Sequence, residues 1–516
     1  MIMKGKSDYL LKSILLFGII LFVGLICVTN LFHFNYRMNS DIASDAILAR
    51  LIWESKQVVP DNWYVANEAR IICTPNLAAL FFGLTHNMIL STGLSCTVMT
   101  ILIFFSLFYF GKVTKWSLNE TLFWGFLGLM IPCNFIILEL MYLFASYYAV
   151  HVVILFITLG IYIKNLNKKG KKFRQGWLMI CCNFFALLLG LQGVRGILVL
   201  YGPMFGIEVI RILYICYCGK RIDRRDIRIS LWVVSLLLLS FGGTLFPISV
   251  GQGFSRNIRK GFSKLWTVVI PDIGKAIGFN STNGLGKICL CLLFLLAIYL
   301  LADIFWRMCR KDEINPGEWG YLVLCSSPVV SALTVAFTTV ESTERYYFLL
   351  VYVMAFAVIL GMRKLQKISV VTIGIGLTVI VLATINIYTV YAPVLERQEP
   401  PRTEAYEVSK YLKESGYDMA YATFENANTM TILSNGAVRV AAVASVEKMD
   451  VCKWMTSTDW YVPNVPYEHP TAYIITESEK DFFEKFRDLH QSDIEFDVQI
   501  GKYLIYVSDY NFSCLE

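Results

Sequence analysis

Residues 30–72 read NLFHFNYRMNSDIASDAILARLIWESKQVVPDNWYVANEARII, a polar and aromatic stretch set between two apolar runs. A basic start (Lys4, Lys6, Lys12) and a first apolar run at about residues 11–30 precede it, and many further apolar runs follow. Asn39 or Ser40 can cap a helix, with Asp41 in the first turn, where a negative charge suits the helix dipole. Ile42, Ala46, Ala49 and Trp53 recur at helical spacing and form one apolar face, suited to the bilayer interface or a helix bundle. Asp41 and Asp45 are four apart and share a face away from that stripe. Val59-Pro60-Asp61 ends the helix.

Outward from this stretch the chain is apolar for most of its length. It has 516 residues, 56% hydrophobic and 16% charged, and a mean hydropathy of +0.56. Runs of roughly 20 apolar residues can cross a bilayer, so the expectation is a polytopic α-helical membrane protein. About eleven spans are expected, at about residues 11–30, 87–111, 119–140, 145–166, 176–193, 196–218, 229–247, 285–305, 319–339, 346–362 and 370–391. No small-residue cleavage site follows the first run, which reads as an uncleaved span.

The dense basic segments NKKGKKFRQG, GKRIDRRDIR and WRMCRKDE, and Arg363, Lys364 and Lys367, all fall on one side of this count. The positive-inside bias makes that side the cytoplasm, together with the N-terminus. Residues 30–75 and 248–283 then form outer loops. The net charge of +7 belongs to the loops between spans and implies no nucleic-acid partner. The expected division is a membrane core over residues 1–395 and an extracytoplasmic domain over 396–516, in an integral plasma-membrane protein. The second part is acidic and alternates helix and strand patterns, which suggests an α/β or α+β fold. Most cysteines lie within spans as small apolar residues. Cys452 and Cys514 lie in the tail, and their spacing leaves open whether they pair.

Asp41 is the sharpest candidate for chemistry, as a base that takes a proton from an acceptor hydroxyl attacking an activated sugar. Asp45 can orient the acceptor or help hold a divalent cation such as Mg2+ or Mn2+; otherwise both are ordinary surface carboxylates. Glu139 is a third carboxylate available to a cation. Trp63, Tyr64 and Glu68 read as an interfacial aromatic belt or as a sugar platform. Arg195, between Gly193 and Gly196 at a span end, suits a polar cavity or a phosphate. Arg345, beside Tyr346, follows the same logic. Arg256 and Arg259 lie with Lys260 and Lys264 in GQGFSRNIRKGFSKLW, basic on the outer side. They suit a phosphorylated carrier, or an amphipathic helix on anionic headgroups.

These features together resemble the GT-C superfamily of membrane glycosyltransferases, in plan similar to the protein O-mannosyltransferases and the lipid A aminoarabinose transferases. The shared elements are the acidic first outer loop with Asp41 and Asp45, the Trp63-Tyr64-x(3)-Glu68 segment, the Arg345-Tyr346-Tyr347 start of a late span, and a terminal soluble domain. The resemblance implies a polyprenyl-phosphate sugar donor, an extracytoplasmic glycan, lipid or protein acceptor, and a first-loop carboxylate as base. Carried to this chain, it makes Asp41 the base and Arg195, Arg256, Arg259 or Arg345 the phosphate contacts. Several relatives have adjacent Asp-Glu at the base, whereas Ile42 follows Asp41 here, which keeps Asp45 as a rival. The competing readings are a polysaccharide polymerase or lipid-linked oligosaccharide ligase, and a non-enzymatic transporter of lipid-linked glycans.

Overall fold

The computed structural model describes the chain except for residues 1, 34–37, 133, 168–175, 247–254, 366–368, 397–402, 462–465, 490–492 and 513–516. It divides into two compact units. One is drawn from Met1–Cys27, Val98–Pro247 and Gly251–Pro393, and the other mainly from Val28–Thr97 and Val394–Glu516.

The first unit is helical. Among the described residues of the whole chain, nine helices are long and apolar enough to cross a membrane, or ten if one bent pair counts as a single span. The expected third span is that pair, Leu118–Met130 and Phe135–Met141. Pro132 cannot donate the backbone hydrogen bond that would continue the first helix. Asn134 restarts the second, its side-chain oxygen accepting from the amides of Ile136 at 2.7 Å and Ile137 at 3.3 Å. The expected fifth span is also short, at Gly176–Gln192. Part of the expected second outer loop is helical, over Ile258–Lys264, Leu265–Val269 and Ile270–Ala276.

Aromatic packing fills this unit. Trp116 and Phe356 have ring centroids 5.2 Å apart, and Phe110 lies 5.4 Å from both Phe156 and Phe356. Among the described residues of this unit, the buried Glu208, Arg211, Asp226 and Asp272 are all ion-paired. Arg211 donates to Glu208 and Asp226, each bond 2.8 Å, while Tyr162 and Ser230 donate to the same Glu208 at 2.7 and 2.6 Å.

The second unit contains a six-stranded sheet. Its strands are β1 (Met419–Thr423), β2 (Arg439–Ser445), β3 (Asp450–Val451), β4 (Pro466–Thr476), β5 (Glu495–Ile500) and β6 (Tyr503–Tyr510). Their order is β3-β2-β1-β4-β6-β5. β1 runs parallel to β2 and β4, and the remaining pairs are antiparallel. The parallel β1–β2 pair needs a crossover, which the Phe424–Leu433 helix provides. Val408, Leu412, Ala427 and Met430 pack with Val440, Ala442, Ile474 and Ile505. Phe483 and Phe486 of the Lys480–Leu489 helix lie 5.9 and 6.3 Å from the Tyr473 ring. The alternating helices and strands expected for this tail are therefore present. Cys452 is half-buried, and Cys514 lies outside the described residues.

Candidate active site

The helix that carries the two aspartates, Ser40–Ser55, lies within the second unit. Asn39 caps it, its side-chain oxygen accepting from the Ile42 amide at 2.9 Å. Far from being one-sided, the helix is buried over Ser40 and Ile42–Ala49. The Thr74–Thr85 helix covers one side, where Ala49 meets Ala78 and Ala79. The Phe424–Leu433 helix covers another. There the Ser40 hydroxyl donates to the Phe424 carbonyl at 2.6 Å, and the Asn428 amide donates to the Ser44 hydroxyl at 2.7 Å.

This packing separates the two carboxylates by environment. Asp41 is half-buried in the first turn. Asp45 is only 4% exposed, so it is no surface carboxylate. Arg70 Nε donates to Asp45 Oδ1 at 3.1 Å. Asp45 Oδ2 is buried with no hydrogen-bond partner among the described residues. Burial pushes the Asp45 carboxyl above its ordinary range; the Arg70 guanidinium opposes that shift, and the Asp41 charge adds to it.

Arg70 is held by the start of the next helix. Its carbonyl accepts from the Asn76 side-chain amide at 3.0 Å, and Asn76 Oδ1 accepts from the Cys73 amide at 3.0 Å. Burial raises the Cys73 thiol, so it is not an activated nucleophile. Asp45, Trp63, Glu68 and Arg70 line one pocket of about 10 Å³, room for roughly one water and far too small for a sugar.

Trp63 and Tyr64 have a structural engagement. Trp63 is buried and forms an antiparallel bridge with Ser457. The Tyr64 amide donates to the Thr456 carbonyl at 3.0 Å, and the Met455 amide donates to the Tyr64 carbonyl at 2.9 Å. A larger, open groove of about 540 Å³ lies in the same unit, lined by Arg50, Trp53, Glu54, His86, Lys413 and Asn435 among others. That volume is in the range of small-ligand sites.

The first unit gathers other expected residues. The Arg195 guanidinium lies 4.0 Å over the Tyr148 ring, a cation–π arrangement. Tyr148 in turn packs 4.8 Å from Phe348, three residues past Arg345 in the turn Glu344–Tyr347. Arg345 is exposed, Tyr346 half-buried and Tyr347 buried. Just before Tyr148, Phe144 and Ser146 adopt φ of 48° and 46°, left-handed conformations that cost non-glycine residues roughly 1–3 kcal/mol each. Arg256 and Arg259 are elsewhere in this unit, both exposed, with Arg256 in a bridge with Thr338.

Among solved structures, ArnT from Cupriavidus metallidurans in the apo state superposes with a TM-score of 0.54. The identity is 10%, over 95% of this chain and 97% of that one. The same protein bound to undecaprenyl phosphate gives 0.51, with 10% identity and the same two coverages. The chain shares the ArnT fold. No family model and no curated protein matches the sequence, so the likeness to ArnT is one of backbone arrangement. The expected plan, a polytopic helical core with a terminal soluble domain, is the plan of these ArnT structures.

Within this ArnT-like fold, sequence reading missed Arg70 and Tyr148. Arg70 carried one signal, a cation in a short segment otherwise rich in carboxylates. Tyr148 carried none beyond its place near the start of an expected span. As for a metal, Asp45 Oδ1 already accepts from Arg70. Among the described residues no group of three or more His, Cys, Asp or Glu is placed to hold a metal ion.

Proposed function

We propose that this protein is a membrane glycosyltransferase that moves a sugar from a polyprenyl-phosphate carrier to an acceptor hydroxyl outside the cytoplasm. The observation that carries this reading is the likeness, over 95% of the chain, to an ArnT structure that holds undecaprenyl phosphate. In this reading Asp41 is the base. It sits at a capped helix start directly after the first span and keeps partial access to solvent, which Asp45 lacks. Asp45, paired to Arg70, positions the helix rather than moving a proton.

The acceptor oxygen attacks the anomeric carbon as Asp41 takes its proton. The bond from that carbon to the carrier phosphate breaks, and its electron pair leaves with the phosphate oxygen. Attack opposite the leaving group inverts the anomeric centre. Arg195 and Arg345 are the assigned contacts for the departing phosphate, whose growing charge needs cations. The groove beside Arg50 and His86 is the assigned place for the acceptor glycan, because the pocket at Asp45 holds no sugar.

The test is transfer of a labelled sugar from a polyprenyl-phosphate donor in membranes. Asp41→Asn should lower turnover by about 10²–10⁴ at normal expression. Undiminished turnover in that variant removes Asp41 from the role, and transfer that tracks Asp45→Asn instead reverses the two assignments.

A further inference from the structure

The helical segment from Ile258 to Ala276 runs unbroken for nineteen residues. That is about 28 Å, long enough to cross a bilayer core. It carries Arg259, Lys260, Lys264, Asp272 and Lys275, too many charges for a span. One side is packed, with Gly261, Val269, Asp272 and Ala276 buried. The other side is not. Ile258, Phe262 and Trp266 are 66%, 67% and 69% exposed, and Ile270 is exposed as well.

These four recur at every fourth position. In an ideal α-helix that spacing drifts by about 40° per step. The π-helical turn at Leu265–Val269 winds more slowly and cancels part of the drift. The result is a straight apolar ridge rather than a spiral one. Arg256, Arg259 and Lys260 are exposed at the same end as Ile258 and Phe262.

The helix is also fixed at a defined level of the fold. Lys264 Nζ donates to the carbonyls of Val335 at 2.7 Å, Thr338 at 2.9 Å and Val340 at 2.5 Å. These carbonyls lie at and just beyond the end of the span Pro316–Ala336. Gly261 packs on the Phe337 ring so closely that a Cβ there would come within 2.2 Å of it. The Asn257 amide donates to the Phe337 carbonyl at 2.9 Å. An element tied to the point where a span leaves the membrane sits at the depth of the headgroups.

We infer that this segment is an interfacial helix that docks on anionic phospholipid headgroups, with Ile258, Phe262, Trp266 and Ile270 in the acyl boundary and Arg256, Arg259 and Lys260 on lipid phosphates. Charge complementarity names the occupant, since an apolar ridge flanked by exposed cations matches an anionic leaflet. Lys264, by contrast, is committed to protein carbonyls.

The full-length protein is placed in nanodiscs of phosphatidylcholine alone, or of about three parts phosphatidylcholine to one of phosphatidylglycerol, and amide exchange is followed over residues 255–270. Exchange is expected to be about tenfold slower in the anionic discs. Arg256→Gln, Arg259→Gln and Lys260→Gln together should erase the difference, while the charge-keeping set Arg256→Lys, Arg259→Lys and Lys260→Arg should retain it. Unchanged exchange over Pro316–Ala336 reports an intact fold. If the glutamine set fails to fold, raised salt on the unmodified protein should narrow the same difference. Equal exchange in both discs overturns the inference. So does protection produced in neutral discs by polyprenyl phosphate or inorganic phosphate, which would give these cations to a carrier or a free anion.

Discussion

Arg70 Nε reaches Asp45 Oδ1 at 3.1 Å and ties the turn before one helix to the buried face of another. Removing the cation should leave a carboxylate in the interior with one oxygen already unpartnered. Arg70→Met is therefore expected to cost about 2–3 kcal/mol in unfolding free energy, below the usual cost of a broken buried pair because Asp45 can take up a proton. Arg70→Met with Asp45→Leu should recover most of that loss. Thermal unfolding of the purified variants in detergent checks this, and additive losses would show that the pair is not coupled.

The raised Asp45 carboxyl fixes a sign for pH. Between its ordinary value of 3.8 and its higher folded value, the native state holds a proton that the unfolded state has released. Stability contributed by this group is thus fullest below 3.8 and falls as pH rises through that window. Asp45→Asn should flatten this part of the profile. A slope unchanged in the variant would assign it to another group.

The Arg195–Tyr148 contact predicts a change in donor binding. Tyr148→Leu keeps a buried apolar side chain and removes the ring face, so the apparent KM for a polyprenyl-phosphate sugar should rise by about 3- to 30-fold. The turnover number should move less. An unchanged KM in a folded variant would separate Arg195 from the phosphate.

Arg211 bridges two carboxylates, Glu208 and Asp226, inside the helical unit. Arg211→Met strands both and is expected to cost about 3–5 kcal/mol, seen as lost yield of monodisperse protein. Arg211→Lys should restore only part of the yield, because a single ammonium cannot reproduce the forked geometry.

What could be read in the sequence was what depends on local pattern. Apolar length located the membrane helices, and period and turn residues located the strands and helices of the tail. Pro132 sits in a run whose apolarity continues across it, so composition hid the break. The burial of Asp45 was invisible for another reason: Arg70 lies 25 positions away, and Met455, which lines the same pocket, much further. Spacing on the Ser40–Ser55 helix correctly put both aspartates on one side. It could not show that Arg70, Trp63 and Met455 close over Asp45 on that side. Trp63 and Tyr64 read as a membrane belt for the same reason, because their bridge partners are Thr456 and Ser457.

The hydrogen bond from Asn428 to Ser44 spans 384 positions. During synthesis the first of these groups to emerge has to wait for nearly the whole polypeptide before its partner exists. A ribosome that stalls, or a protease that trims the tail, would leave the membrane helices inserted and the Ser40–Ser55 helix without the cover that the Phe424–Leu433 helix supplies. The arrangement makes the packing of one face of the aspartate helix depend on residues synthesised hundreds of positions later.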